Sequence, residues 1–277
     1  MDKHFELTDK FIINAFGIKL LQIKCTRKIK HADVGDLGGY IEKEDNLSGD
    51  AWVSGNAKVS GDAQVSGNAW VSGDAKVYGN AWVSGDAKVS GDAKVSGNAW
   101  VSGDAKVYGN AWVSGDAKVY GNAQVYGNAQ VCGNAQVCGN AQVCGDAWVS
   151  GNAKVSGDAW VSGDAQVCGD AQVYGDAQVC GNAQVCGNAQ VCGDAQVSGD
   201  AKVSNNNEHC GFDCFGSVNR HTHAYKTQSG KVEIICGCFR GSIEEFEEQV
   251  KKTHQGNEFE RQYMAIAEVI KIKFGLK

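Results

Sequence analysis

Histidine and cysteine side chains concentrate in one stretch near the end of the chain. Imidazole and thiolate groups are the usual protein ligands of zinc, and two of each make a sufficient tetrahedral set. The stretch is therefore the first place to look for chemistry, and its geometry depends on the strands that carry it. Its members are His209, Cys210, Cys214, His221, His223, Cys236 and Cys238.

A β-hairpin would position four of these side chains. Residues 216–226 and 231–236 are typical of two strands joined by a turn at Ser229-Gly230. With a two-residue loop, His223 lies opposite Cys236. The alternative is that the cysteines simply continue the apolar face of the second strand as small hydrophobic residues. The predicted zinc site comprises four side chains on one face, His221, His223, Cys236 and Cys238.

Two helices are predicted after the hairpin. Ser242 and Glu245 form a capping box, and three apolar residues behind it share one helical face. Asn257 caps a second helix whose apolar residues also recur at helical spacing. Residues 205–277 are therefore predicted to form a small α/β module.

The hairpin follows a long repeat that occupies residues 47–204. Its unit is Val-[Ser/Tyr/Cys]-Gly-[Asp/Asn]-Ala-[Trp/Lys/Gln], and Leu47 followed by valines to Val203 marks 27 hexads. A fixed short period indicates a solenoid. Val favours extended backbone and points inward together with Ala, while the residues on either side of Val point outward. Gly-Asx forms a corner, because Gly reaches positive φ and Asx tolerates turn geometry.

Three such sides make an 18-residue coil, and the pattern resembles the hexapeptide-repeat left-handed parallel β-helix family. The resemblance covers residues 47–204 and implies the handedness. The predicted fold class is mainly β: a single-stranded left-handed parallel β-helix of about nine coils, with an N-terminal β cap and the small C-terminal α/β module. Exposed strand edges at both ends of such a stack invite aggregation unless they are covered. Residues 1–46 and 205–277 are predicted to cover them.

The flanks carry a narrower resemblance. The segments GDLGGYIE at 35–42 and EDNL at 44–47 look like the lead-in of YdcK-type hexapeptide-repeat proteins of bacteria and their phages. The segments CGCFRGS at 236–242 and EEF at 244–246 resemble a C-terminal module found on related proteins. The resemblance provides no enzymatic activity to carry over to this chain, and it suggests an accessory factor of a phage or mobile element.

Charge and hydropathy exclude several classes of function. The net charge of −6 lies on the repeat, where 14 Asp outnumber 8 Lys. General nucleic-acid binding is disfavoured, because it needs a basic footprint. A local basic run from Lys24 to His31 could contact an anion or form a solvated loop. The sequence contains no apolar run of signal-peptide or membrane-span length, so we expect a cytoplasmic protein with no membrane association.

The outward positions of the repeat place like residues in stacks. A coil of 18 residues predicts three stacked aromatic pairs, Trp52 with Trp70, Trp82 with Trp100, and Tyr108 with Tyr126. These ladders either contact a protein partner or a second copy of the chain, or merely cover the coil by stacking on each other. The same spacing brings Cys168 and Cys186 into adjacent coils. We expect free thiols there, because in-register neighbours hold their Cβ atoms beyond the preferred disulfide separation.

Two classes of function fit these features. The first is a non-catalytic scaffold that presents the C-terminal module or the aromatic ladders to a protein partner, with no cofactor unless the zinc site forms. The alternative is an acyltransferase, because many proteins of the hexapeptide-repeat family are trimeric enzymes that use an acyl-CoA donor at subunit interfaces. Such enzymes need a general base, usually His, and commonly a projecting loop. Residues 47–204 contain neither a His nor an insertion, so we favour the scaffold.

Overall fold

The middle of the chain forms a parallel β-solenoid. The structure, a computed structural model, describes residues 3–276. The solenoid has 26 strands of two residues each, β4 to β29, which begin every six residues from Trp52–Val53 to Lys202–Val203. Each strand consists of the Val of one hexad and the residue that precedes this Val. The predicted mainly β class and the six-residue period are both confirmed.

The strands form three parallel sheets, one along each side of the solenoid. The first face runs from β5 (Lys58–Val59) to β29, the second from β4 to β28 (Gln196–Val197), and the third from β6 (Gln64–Val65) to β27 (Gln190–Val191). Neighbours in a sheet are 18 residues apart, so one coil contains three hexads, as predicted.

Backbone hydrogen bonds and a Val–Ala core hold the coils together. In a representative side, Lys94 N donates to Ala111 O of the next coil at 2.9 Å. Ala111 and Val113 are completely buried, like nearly every inward Ala and Val of the repeat. The glycines at the corners have φ near +70°, which explains why the repeat requires Gly there.

The N-terminal cap extends the first face. Strands β1 (Phe5–Ile13) and β2 (Lys19–Cys25) form an antiparallel hairpin that pairs with β3 (Leu37–Ile41), and a 3₁₀ turn covers Glu44–Asn46. Strand β3 lies parallel to β5, with Ile41 opposite Val59. The solenoid register therefore begins one hexad before Leu47. The signal for this was available, because Ile41 precedes Leu47 by six residues although it lacks the Gly-Asx corner.

The basic run between β2 and β3 attaches the cap to the solenoid. Arg27 pairs with Asp50 at 2.6 Å, and Lys30 pairs with Asp86. In the coil between those of Asp50 and Asp86, the carbonyl oxygen of Asn68 lies 3.1 Å from His31 Nε2. The run therefore follows one corner of the first coils, and its charges are satisfied by the protein itself rather than by an external anion.

The C-terminal module covers the other end. Strands β30 (His209–Phe215), β31 (Arg220–Lys226), β32 (Val232–Cys236) and β33 (Phe239–Gly241) form an antiparallel sheet. Helices α1 (Ile243–His254) and α2 (Glu258–Phe274) pack on one face of it, and the other face packs on the last coils. The predicted caps at Ser242 and Asn257 are both formed. Strand β30 was not predicted from the sequence.

Neither helix of the described segment is long and apolar enough to cross a lipid bilayer.

Candidate functional site

The predicted register of the C-terminal hairpin is wrong by one residue. His223 pairs with Ile235, and Cys236 pairs with Thr222. The loop is longer than two residues, since Thr227 N donates to Lys231 O at 2.8 Å. The physical reason is local: residues 228–230 form a three-residue loop in which Gly230 has φ +80° and Gly230 N donates to Thr227 O at 2.9 Å. Gln228 N also donates to Asp200 O of the solenoid at 2.8 Å.

A slip of one residue moves a side chain to the opposite face of the sheet. His221 and His223 therefore face the end of the solenoid, whereas Cys236 packs among residues that face the helices. Cys238 is exposed in the turn before β33. The predicted zinc set of two histidines and two cysteines on one face is thus not formed. Among residues 3–276, no group of three or more His, Cys, Asp or Glu side chains is arranged to hold a metal ion.

The structure instead collects three histidines between the module and the last coil. His223 is 1% exposed, and its Nδ1 lies 2.8 Å from Gln196 O. The Nδ1–H must donate to that carbonyl, so His223 Nε2 accepts from His209 Nδ1 at 3.1 Å. His221 pairs through Nδ1 with Asp213. The Nε2 atoms of His209 and His221 are buried without a hydrogen-bond partner in the described chain.

Burial controls the protonation of this cluster. Desolvation lowers the pKa of His223 to about 3, although its bond to Gln196 opposes the shift. Desolvation also lowers the pKa of His209. Both imidazoles are therefore neutral at pH 7. The His209–His223 pair is a neutral hydrogen-bonded contact that joins the module to the solenoid.

The predicted aromatic ladders differ in exposure. The expectation of an exposed surface is wrong for Trp52, which the N-terminal cap covers, whereas Trp70 is half-buried. Trp52 is 2% exposed beneath the cap, with the ring of His4 6.3 Å away. Trp70 stacks against His31, with 5.1 Å between ring centroids. In these first coils, exposure depends on the flanking chain and not on the repeat position.

Trp82 and Trp100 form an exposed stacked pair on the third face. Their ring centroids are 5.6 Å apart and their planes differ by 12°. The two residues are 46% and 40% exposed. Each indole N–H donates to a serine hydroxyl of the preceding coil, and Lys118 Nζ lies 5.9 Å from the Trp100 ring. The pair is held in one orientation, which reduces the entropy lost when a partner binds.

Tyr108 and Tyr126 stack on the second face, with centroids 4.9 Å apart and nearly parallel rings. Each hydroxyl donates to a glutamine of the next coil, Gln124 and Gln142 respectively. A hydrogen bond with Cys144, together with burial, raises the pKa of Tyr126 to about 12. This half-buried pair is neutral. Intramolecular contacts leave less of its surface free than in the Trp pair.

Other exposed tryptophans lie on the solenoid without an aromatic neighbour. Each is flanked in its sheet by Lys or Gln, so none extends the predicted ladders. They are Trp112 and Trp148 on the first face and Trp160 on the second. Their position in the hexad shows that they point outward. The 18-residue coil places Lys or Gln, rather than an aromatic residue, next to each of them.

The expectation of free thiols at Cys168 and Cys186 is also wrong. The two residues form a disulfide across adjacent coils of the first face, and their Cα atoms are 4.6 Å apart. This Cα separation lies within the range that disulfides span. The sequence argument relied on Cβ positions of ideal strands, whereas these residues follow the two-residue strands, at the approach to a corner.

We expect peptide mapping without reductant, after exposure of the protein to air, to recover one cross-linked pair that joins Cys168 and Cys186. Cys168→Ser, which restores a common repeat residue, removes the pair. Loss of the link is expected to destabilise the last coils by up to about 3 kcal/mol, measured by local hydrogen exchange. Alkylation of both thiols in the folded, air-exposed protein would contradict the assignment.

Fold and surface together define the class: a parallel β-solenoid of hexapeptide repeats, capped at both ends, with outward aromatic side chains. The family profile described as the YdcK beta solenoid repeat matches residues 123–139, 129–145, 135–151 and 165–181 of this solenoid. No curated protein matches the chain.

One comparison with solved structures covers most of the chain. The crystal structure of an Arabidopsis UDP-N-acetylglucosamine acyltransferase aligns with 90% of this chain and 92% of its own, at 10% identity and a TM-score of 0.29. An overlap of this quality carries no statement about function.

Proposed function

We propose that this protein is a non-catalytic, cytoplasmic scaffold: a rigid β-solenoid that presents an exposed aromatic surface to a protein partner. The observation that carries the proposal is the stacked, outward pair of Trp82 and Trp100. Tryptophan is enriched among residues that dominate binding energy, and a pre-oriented pair binds with little loss of side-chain freedom.

The rest of the solenoid supports a presenting role rather than catalysis. Strands recur every six residues from β4 to β29, so no loop projects from the wall to form a cleft. The interior is filled by Val and Ala. All six histidines lie outside residues 47–204, which leaves the wall without the base that an acyltransferase needs. A role as an accessory factor of a mobile element is part of the proposal and follows only from the family resemblance.

The test uses affinity purification of the full chain and of Trp82→Gln/Trp100→Gln. Gln occupies the same hexad position in later coils, so the fold is retained. We expect the double variant to lose a partner that the parent recovers, with affinity reduced about 30-fold or more, as for hot-spot residues. Trp112→Gln/Trp148→Gln is the matched control on another face and retains the partner.

Equal recovery by the parent and by Trp82→Gln/Trp100→Gln would contradict the aromatic surface. The acyltransferase alternative is tested separately, by measuring release of free CoA from acetyl-CoA with amine and hydroxyl acceptors. Catalytic turnover there would overturn the non-catalytic assignment.

A further inference from the structure

A cleft lies where the N-terminal hairpin overhangs the first face. The turn between β1 and β2 closes one side, and outward residues of the first three coils close the other. The cavity has a volume of about 340 Å³, within the range of small-molecule sites. It lies apart from the Trp82 and Trp100 surface, which is on the third face.

Three lysines line this cleft in consecutive coils. Lys58 is in register with Lys76, and Lys76 with Lys94, so successive positions are about 4.8 Å apart. Like charges directly opposite each other in a sheet are destabilising. Among residues 3–276, none of the three forms an ion pair, although Asp74 and Asp92 lie at the flanking corner.

Two lysines before the first coil, unlike the three in the cleft, form ion pairs with the solenoid. Lys30 and Lys43 each reach an Asp of the solenoid. The cleft lining contains no Asp or Glu at all. The lysine column is therefore a concentrated positive site that no carboxylate of the cleft neutralises, although Lys94 Nζ also lies 5.8 Å from the Trp112 ring. An anion bound there would relieve the repulsion.

The opposite wall of the cleft is apolar and aromatic. Phe16, at the tip of the turn, is 76% exposed. Tyr78 lies on the same wall as the lysines, directly after the strand of Lys76. The turn is ordered by Asn14, whose Oδ1 accepts from Phe16 N at 2.9 Å and from Ile18 N at 3.0 Å. The backbone that carries this exposed aromatic side chain is thus ordered at the edge of the cleft.

We propose that this cleft binds a nucleoside polyphosphate. Lysine is a common phosphate ligand, and a column of three follows an extended chain of anionic groups better than it follows a single charge. The planar base stacks against Phe16 and Tyr78, as bases stack on aromatic side chains in other proteins. This inference is independent of the proposed partner-binding role.

The test is isothermal titration calorimetry of the full chain with ATP, inorganic triphosphate and adenosine at low ionic strength. We expect ATP to bind, and to bind more tightly than triphosphate because the base contributes. Lys76→Gln/Lys94→Gln keeps the repeat pattern, since Gln occupies this position in later coils. It is expected to weaken ATP binding about tenfold or more.

Two variants separate the contributions. Lys88→Gln/Lys106→Gln removes two lysines that are neighbours on the second face, and so removes the same number of positive charges. It is expected to leave ATP affinity unchanged. Phe16→Ala is expected to reduce ATP affinity towards that of triphosphate, because it removes one of the two aromatic side chains against which the base stacks. The proposal is overturned if the parent does not bind ATP, if both lysine pairs cost the same affinity, or if triphosphate binds the parent as tightly as ATP.

Discussion

Gly115→Ala is expected to lower stability much more than Gly193→Ala, although both glycines occupy the same corner of the repeat. Their φ values are +70° and +62°, so both substitutions carry the left-handed penalty of about 1–2 kcal/mol. A Cβ at Gly115 would lie 3.0 Å from the backbone N and O of Gly133 in the next coil. A Cβ at Gly193 meets nothing within 4 Å.

The close approach at Gly115 cannot be relieved by a side-chain rotation, because both neighbours are backbone atoms. Separating the coils would strain the bond from Asp116 N to Gly133 O, which is 2.9 Å long. We expect Gly115→Ala to cost about 1–3 kcal/mol more than Gly193→Ala, by analogy with overpacking. Thermal unfolding followed by circular dichroism compares the two.

Hydrogen exchange locates the damage. Since each coil contacts only its neighbours, faster exchange should centre on the coils that contain residues 115 and 133. Equal losses of stability in the two variants would show that the φ penalty alone decides the cost, and would contradict the argument from inter-coil contact.

Acidification is expected to release the C-terminal module from the solenoid before the solenoid itself unfolds. The folded pKa of His223 is about 3, against an ordinary 6.5. Below pH 6.5 the released state binds more protons than the docked state, so stability falls as pH falls and continues to fall to about pH 3. At pH 5 the loss from His223 is about 2 kcal/mol.

Several titratable groups surround this contact. His209 and His221 lie beside His223, Asp213 pairs with His221, and Asp194 of the solenoid lines the adjoining cavity. The lowered pKa of His209 acts in the same direction as that of His223. Protonation would place positive charges together in a buried contact, and the two aspartates offset this only in part.

Hydrogen exchange of the β31 amides at pH 7.5 and pH 5, corrected for intrinsic rates, measures the release. We expect about 30-fold more opening at pH 5 in the parent. His223→Gln retains a donor for Gln196 and should be much less sensitive to pH, whereas His254→Gln, on α1, should behave as the parent. Unchanged protection of the parent at pH 5 would contradict the prediction.

Two histidines of the N-terminal flank make local hydrogen exchange a more specific measurement than global thermal unfolding. Burial also lowers the pKa values of His4 and His31, which contact the first coils. Global thermal unfolding therefore combines acid sensitivity at both ends of the solenoid. Amides of β31 report on the C-terminal contact alone.

The hexad was sufficient to predict the coil, because each position has one physical role. Val and Ala fill the interior, and Gly-Asx makes the corner. Local signals were also sufficient for the helix caps at Ser242 and Asn257, where side chains bond to backbone a few residues away. The domain limits at residues 47 and 204 remain a prediction. Ile41, which precedes the first limit, already lies in the register of the coils.

The candidate sites were less predictable because they depend on contacts between distant segments. Trp52 and Trp82 occupy the same hexad position, but only Trp52 is covered by the cap. His223 and Cys236 were assigned to one face from a two-residue turn, whereas the loop has three residues and the register differs by one. The local signal was Gly230, which is also compatible with a three-residue loop, and the sequence did not choose between the two loop lengths.

The sequence by itself determined the solenoid, its period and the residues that point inward, since these follow from six-residue patterns repeated over the chain. Only the tertiary structure decided which outward residues remain exposed and which histidines meet. Those outcomes depend on how residues 3–46 and 205–276 pack on the two ends. Packing of this kind is set by the sum of many weak contacts between segments far apart in sequence, and no local pattern records it.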